Sequence, residues 1–344
     1  MTITQGFEDI TNPLQQSALH KKGLCDYVIN VASGCLHGCT FCYVPSTPVI
    51  RARQSHLKNK GVVDPQMDWG KYLLIRQDVP KKLEDLLSRK RVWHETKAGK
   101  GVVLLCSGTD PYQNQQTADI TRMVVKILLK YKKKVRILTR GLLWVNDLDI
   151  LVHPDVTVGM SIPYSNDILS RQIEPASPPP SHRMKALLEG YKAGCRLYVA
   201  VAPTPPQLTQ DDFTRHLEKL LKFNPEVIFW EPINARGTNG RRMIAAGLDF
   251  IKLVINKKSW ADSFIKQWEE IETAASDVGC LERLHIWPDQ ELSEFVEDKA
   301  LEYWWDRPTV EQWSGYKNQK LKNSSRPEVR KYLKLDPNES AHFV

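Results

Sequence analysis

"SGCLHGCTFCYVP", residues 33–45, sets Cys35, Cys39 and Cys42 four and then three positions apart, with Gly34 and Gly38 ahead of the first two. A disulfide framework wants an even number of cysteines, and a tetrahedral metal site wants four ligands. Three thiolates on one short loop after a strand can instead hold three irons of a cubane [4Fe–4S] cluster and leave the fourth open. The other reading is a zinc loop completed by a distant fourth ligand, His37 or another histidine. Both glycines let the chain wrap tightly around a bulky group.

Outward from this loop, short apolar runs alternate with amphipathic patterns. "DYVINVA" (26–32), "VVLLC" (102–106), "VRILT" (135–139), "VTVGMS" (156–161), "RLYVAVA" (196–202) and "EVIFWEP" (226–232) read as buried strands. Helical patterns fill 79–90, 117–131, 142–152, 181–194 and 209–223, with Ser181 and Thr209 as N-caps and Gly194 as a stop. Parallel neighbours need crossover connections, so the alternation predicts an α/β fold with a parallel sheet. Six such units curve into a partial (β/α)6 barrel, whose working residues lie at the C-terminal ends of the strands. CSGTDPYQ, TRG, SIPYSND, APTPP and EPINARGTNG all begin at such exits. Residues 1–25 are expected to form an N-terminal extension, 26–255 the barrel, and 256–344 an α-rich C-terminal extension with a basic tail.

The 344 residues are 42% hydrophobic and 26% charged, with mean hydropathy −0.40, an ordinary soluble composition. No apolar stretch reaches the roughly 18 residues of a membrane span. The N-terminus lacks a basic region followed by an apolar run, so a cytoplasmic location without a membrane partner is expected. Seven cysteines, an odd number, read as reduced thiols, and Cys25, Cys195 and Cys280 as small buried side chains. The net charge of +8 gathers in 81–100, 126–140 and 316–334. Such charge permits a polyanionic partner without demanding one.

The pattern Cys-x3-Cys-x-aromatic-Cys, completed by Phe41, is similar to the hallmark of the radical S-adenosylmethionine superfamily. "CSGTDPYQNQQ" (106–116), "WGKYLLIRQDVPKKLEDLL" (69–87), "SIPYSNDILSRQIEPASPPPSHRMKALLEGYKAG" (161–194) and "VAVAPTPP" (199–206) resemble its spore-photoproduct-lyase-like branch, over roughly residues 27–235. The resemblance implies a [4Fe–4S] cluster whose open iron is chelated by S-adenosylmethionine, and whose electron cleaves it to methionine and a 5′-deoxyadenosyl radical. It implies that Phe41 lies against the adenine, and that Ser107, Gly108, Thr109 and Asp110 meet the methionine amino group and ribose. The plain alternative for "GTDP" is a turn. Ser161 matches a ribose- or carboxylate-contacting serine, and Arg140 is placed to pair with the methionine carboxylate. Glu174 and Arg183 form either a buried pair shaping the site or a structural salt bridge.

Spore photoproduct lyases use a cysteine near this second-strand exit to return a hydrogen atom to the product radical. Cys106 is offset by one residue, with Ser107 in that place, so it is either that donor or a buried filler. Tyr112 is the alternative relay or substrate contact; Tyr43 and the Trp304–Trp305 pair are expected in packing. The implied chemistry is hydrogen abstraction from a macromolecular substrate, fed by a reductase or flavodoxin-type electron donor. Two substrates fit: a thymine-dimer lesion in DNA, opened by C–C cleavage, or a ribosomally made precursor peptide, epimerised, cross-linked or excised. In the second case the C-terminal extension would hold an acidic leader or a small partner protein. A non-enzymatic iron–sulfur nucleic-acid-binding or sensor protein is the third reading, and it predicts no S-adenosylmethionine turnover.

Overall fold

The computed structural model describes residues 3–19, 24–89, 93, 95, 96, 99–306 and 325–334. Seven strands run parallel in chain order: β1 (Tyr27–Ile29), β2 (Val103–Leu105), β3 (Val135–Thr139), β4 (Val156–Ser161), β5 (Arg196–Thr204), β6 (Ile228–Pro232) and β7 (Leu284–Ile286). Each pairs with the next, and the antiparallel strand Gln15–Gln16 lies on the outer edge of β1. The first six are the six predicted runs. The crossovers carry α1 (Val79–Leu87), α2 (Gln115–Lys130), α3 (Pro180–Ala193), α4 (Gln210–Leu221) and α5 (Lys257–Asp277).

Helix ends follow local chemistry. Thr209 caps α4 in a reciprocal box with Asp212, and Gly194 ends α3 at φ 91°. Ser181 is not a cap: Pro180 starts α3 one residue earlier, and the Ser181 amide and hydroxyl both donate to Asp167, at 3.0 and 2.6 Å. The stretch expected as one helix over 142–152 is a 3-10 turn, Leu143–Asp147, running into a single α turn, Leu148–Leu151. The boundary expected at 255 also needs correction. β7 lies within the presumed helical extension and pairs in parallel with Ile228–Trp230, so the barrel sheet continues past it. Leu284, His285 and Ile286 are three buried residues of which only two are apolar, too short a run to stand out between helical patterns.

Strand alternation sorts the core into two layers. Val103 and Leu105 pack with Leu197, Val199, Val201, Ile228 and Trp230 under the helices. Leu104, Tyr198, Ala200 and Phe229 point the other way, with Trp287, and fill the lumen. Trp287 stacks on Phe229 at 4.2 Å and forms part of the floor beneath the strand exits. Trp304 is buried in the core and Trp305 donates its ring N–H to the Pro288 carbonyl at 2.9 Å, so both are packing residues.

A three-stranded sheet stands beside the barrel: Ala32–Gly34 pairs antiparallel with Tyr72–Ile75, which pairs in parallel with Thr4–Phe7. This sheet launches the cysteine loop. Gly34 has φ +88°, and a Cβ there would lie 2.2 Å from the Tyr72 carbonyl, so glycine is required. The basic run Lys132–Lys134 leads into β3 from its N-terminal end, with Lys133 3.9 Å over the Trp93 ring. It is therefore at the end of the barrel away from the strand exits.

Gly159 on β4 makes room for Tyr198, whose ring would lie 2.1 Å from a Cβ at that position. Gly159→Ala is expected to overpack the lumen and lower stability by about 1–3 kcal/mol, read as a shifted urea midpoint with unchanged slope.

Candidate active site

The cysteine loop is fastened from four directions. From β2, Thr109 donates to the Gly34 carbonyl, and the Gln113 side-chain oxygen accepts from the Leu36 amide at 2.7 Å. From the segment after β4, the Ile173 carbonyl accepts from both the amide and hydroxyl of Thr40 at 3.0 Å. From the helix after β6, Asn239 donates to the Phe41 carbonyl at 2.7 Å, and Arg242 donates to the Cys42 carbonyl. From the N-terminal segment, Glu8 accepts from Ser33 at 2.7 Å while Arg53 and Arg76 pair with it at 2.5 and 2.7 Å.

Cys35 and Cys39 are buried and Cys42 is half-buried. Burial pushes the Cys39 thiol up to about 12 and raises Cys42, and it drives Cys35 well up, aided by the negative charge of Asp110. Three desolvated thiols that oppose one another's ionisation call for a cationic group to hold them as thiolates. Among the described residues no three His, Cys, Asp or Glu side chains converge on one metal ion. A cubane suits such a trio, because each thiolate then takes its own iron on a separate corner.

Asp110 is the buried joint of the site. Its Oδ1 accepts from the Tyr112 amide at 2.9 Å and the Thr139 hydroxyl at 2.7 Å; its Oδ2 accepts from the Arg140 amide at 2.7 Å and lies 3.3 Å from His37 Nε2. Burial opposes its charge, but His37, the Arg140 amide and Thr139 outweigh it and hold the carboxyl at about 2. Three protein hydrogen bonds, with the His37 ring close beside them, engage its two oxygens. Asp110 thereby braces the site, and it also lines the cavity at the strand exits. Thr109 lines it too, while donating to the Gly34 carbonyl and accepting from Gln113 Nε2 at 2.8 Å. The amides of Ser107 and Gly108 both donate to Asn30 Oδ1, at 3.0 and 2.7 Å, so Asn30 fixes the β2 exit. Tyr112 is not at the mouth: its hydroxyl donates to Asp147 at 3.0 Å, within the core.

The strand exits enclose a cavity of about 250 Å³ that brings together all three cysteines, Phe41, Cys106, Ser107, Arg140 and Ser161. The Arg140 guanidinium lies 5.3 Å from the Phe41 ring centroid and pairs with Glu174 at 2.5 Å. Glu174 also pairs with Arg183 at 3.0 Å and accepts from Tyr164 at 3.1 Å, all inside the protein. Burial raises the Glu174 carboxyl, yet Arg183 and Arg140 together pull it down to about 2. The expected Glu174–Arg183 pair is thus a three-membered row that also positions Arg140. Burial pushes the Cys106 thiol up to about 12, so it is a protonated S–H at neutral pH.

Asn30, Gln113, Asn239 and Arg242 escaped the sequence reading. Their only signal is position: polar side chains at strand exits, beside the turns "DPY" and "ARGTNG".

A family model described as the radical SAM superfamily matches residues 29–220. The chain belongs to that superfamily: it is an enzyme whose cofactors are a [4Fe–4S] cluster and S-adenosylmethionine. An uncharacterized protein of Acidianus two-tailed virus is 31% identical over 62% of this chain and 69% of its own length. An uncharacterized protein of Mycobacterium tuberculosis is 28% identical over 57% of this chain and 54% of its own. Among solved structures, a spore photoproduct lyase mutant with bound AdoMet and dinucleoside spore photoproduct superposes with TM-score 0.56 at 12% identity, covering 82% of this chain and 80% of that one. That likeness is one of fold. No helix among the described residues is long and apolar enough to cross a membrane.

Glu174 and Asp110 ionise more readily folded than unfolded, from ordinary values of 4.5 and 3.8. Their stabilisation is complete above those values and drains away as pH falls towards about 2. Glu174→Gln leaves two buried guanidiniums without their carboxylate and is expected to cost about 3–5 kcal/mol at neutral pH. In urea denaturation the gap from wild type should narrow near pH 3, where the wild type has lost part of that contribution.

Proposed function

We propose that Cys35, Cys39 and Cys42 each ligate one iron of the cluster, and that Phe41, Arg140 and Ser161 hold S-adenosylmethionine against it. Bound there, the cluster supplies the electron that splits S-adenosylmethionine into methionine and a 5′-deoxyadenosyl radical. Arg140 keeps its charge because Glu174 sits beside it, and so can pair with the methionine carboxylate. Phe41 offers a ring face, and Ser161 an inward hydroxyl at the end of β4. Ser107 and Gly108 direct their amides back to Asn30, which leaves the Ser107 side chain at the mouth. The apolar floor under the exits excludes water from the reacting carbon.

For the substrate, the reading best supported is hydrogen abstraction followed by C–C bond cleavage, in the manner of spore photoproduct lyase. One observation carries it: Cys106 brings a protonated thiol into the same cavity as the three cysteines, and hydrogen-atom return requires S–H rather than thiolate. A second reading, maturation of a ribosomally made peptide with a small partner protein, is favoured by the basic run Lys132–Lys134. It lies at the wrong end of the barrel to hold a DNA backbone over the mouth.

Each alanine substitution of Cys35, Cys39 or Cys42 is expected to abolish 5′-deoxyadenosine release under anaerobic reduction and to lower bound iron. Cys106→Ala should keep 5′-deoxyadenosine release while blocking formation of the repaired product. Lesion-bearing DNA and peptides encoded beside the gene, each deuterated, decide the substrate: only the true one passes deuterium to 5′-deoxyadenosine. Transfer from peptide alone removes the lyase reading, and wild-type product yield from Cys106→Ala removes the hydrogen-return role.

A further inference from the structure

The loop "EPASPPPS", residues 174–181, has so far given the site only Glu174. Its Ser177 hydroxyl lies 3.6 Å from Cys39 Sγ, within reach of a sulfur hydrogen bond. We propose that Ser177 donates a hydrogen bond to the Cys39 thiolate and thereby raises the reduction potential of the cluster. The inference rests on the reading of Cys39 as an iron ligand. With Cys39 bound as thiolate the sulfur has no proton to give, so Ser177 is the donor.

The loop is built to hold that hydroxyl still. Thr40, the residue after Cys39, ties its start to the cysteine loop through two bonds to the Ile173 carbonyl, both at 3.0 Å. The Ser177 amide closes a turn onto the Glu174 carbonyl at 3.1 Å, and Glu174 is itself clamped between Arg140 and Arg183. On the other side, the Pro178 carbonyl accepts from Arg183 Nε at 2.6 Å, and three consecutive prolines restrict the backbone. Arg183 therefore fixes the loop at both ends of the serine.

The electrostatics set the sign. Reduction adds one electron to the cluster and shares that negative charge with its sulfur ligands. A donor aimed at a ligand sulfur stabilises the reduced form more than the oxidised one, so the potential rises. Removing the hydroxyl makes the cluster harder to reduce by a given low-potential one-electron donor. Ser177 does not touch the substrate; it is a positioning and tuning residue.

The test is an EPR-monitored potentiometric titration of the anaerobically reconstituted full chain without S-adenosylmethionine, with dithionite as reductant. Ser177→Ala and Ser177→Val should each lower the ratio of reduced to oxidised cluster at fixed potential by about three- to tenfold, tenfold being about 59 mV for one electron. Ser177→Thr keeps the hydroxyl and should titrate with wild type. Wild-type midpoints in both apolar variants at full iron content overturn the proposal. So does loss of iron in both while Ser177→Thr loads normally, which assigns the hydroxyl to cluster assembly. A wild-type chain that takes up no cluster refutes the ligand assignment itself, an outcome distinct from either.

Discussion

One buried carboxylate holds the active site in register. Asp110 receives protein partners from the cysteine loop, its own turn and the end of β3, so three segments meet on two oxygen atoms. A cluster ligated by a flexible loop would need its three sulfurs ordered at the moment of assembly, at a cost of about 1–2 kcal/mol for each backbone residue fixed. Here that ordering is done by the fold. Thr109 and Gln113, from the same T-D-P-Y-Q stretch as Asp110, grip the loop backbone.

The rest of the site is arranged around that joint as opposing charges in a dry interior. The glutamate after α-helical Ile173 is surrounded by two guanidiniums, and the glutamate at position 8 by two more. In both places a buried acid organises arginines whose backbone neighbours carry the cysteine loop or the cavity wall. Removing either partner from such a group strands a charge in low dielectric.

The sequence made the barrel legible because β1 to β6 are near-continuous apolar runs, as strands covered on both faces must be. β7 was hidden by its length, and the start of α3 by prolines that set the helix one residue before the serine that looked like its cap. The cysteines were legible because all three ligands are local. Tyr112 was misread because its hydroxyl direction is decided by Asp147, in the turn after the next strand. Arg242 reaches Cys42 from 200 positions away, and no local pattern announces such a contact. The bracing role of Asp110 was hidden for a similar reason. Its partners come from segments that only the folded chain brings together.

The row Arg140–Glu174–Arg183 holds two permanent cations against one anion that stays ionised down to about pH 2. Across neutral and mildly acidic pH the row thus carries a net positive charge. This makes the row a constant-field element that neither buffers nor switches. Any acidity dependence in turnover then has its origin outside this row.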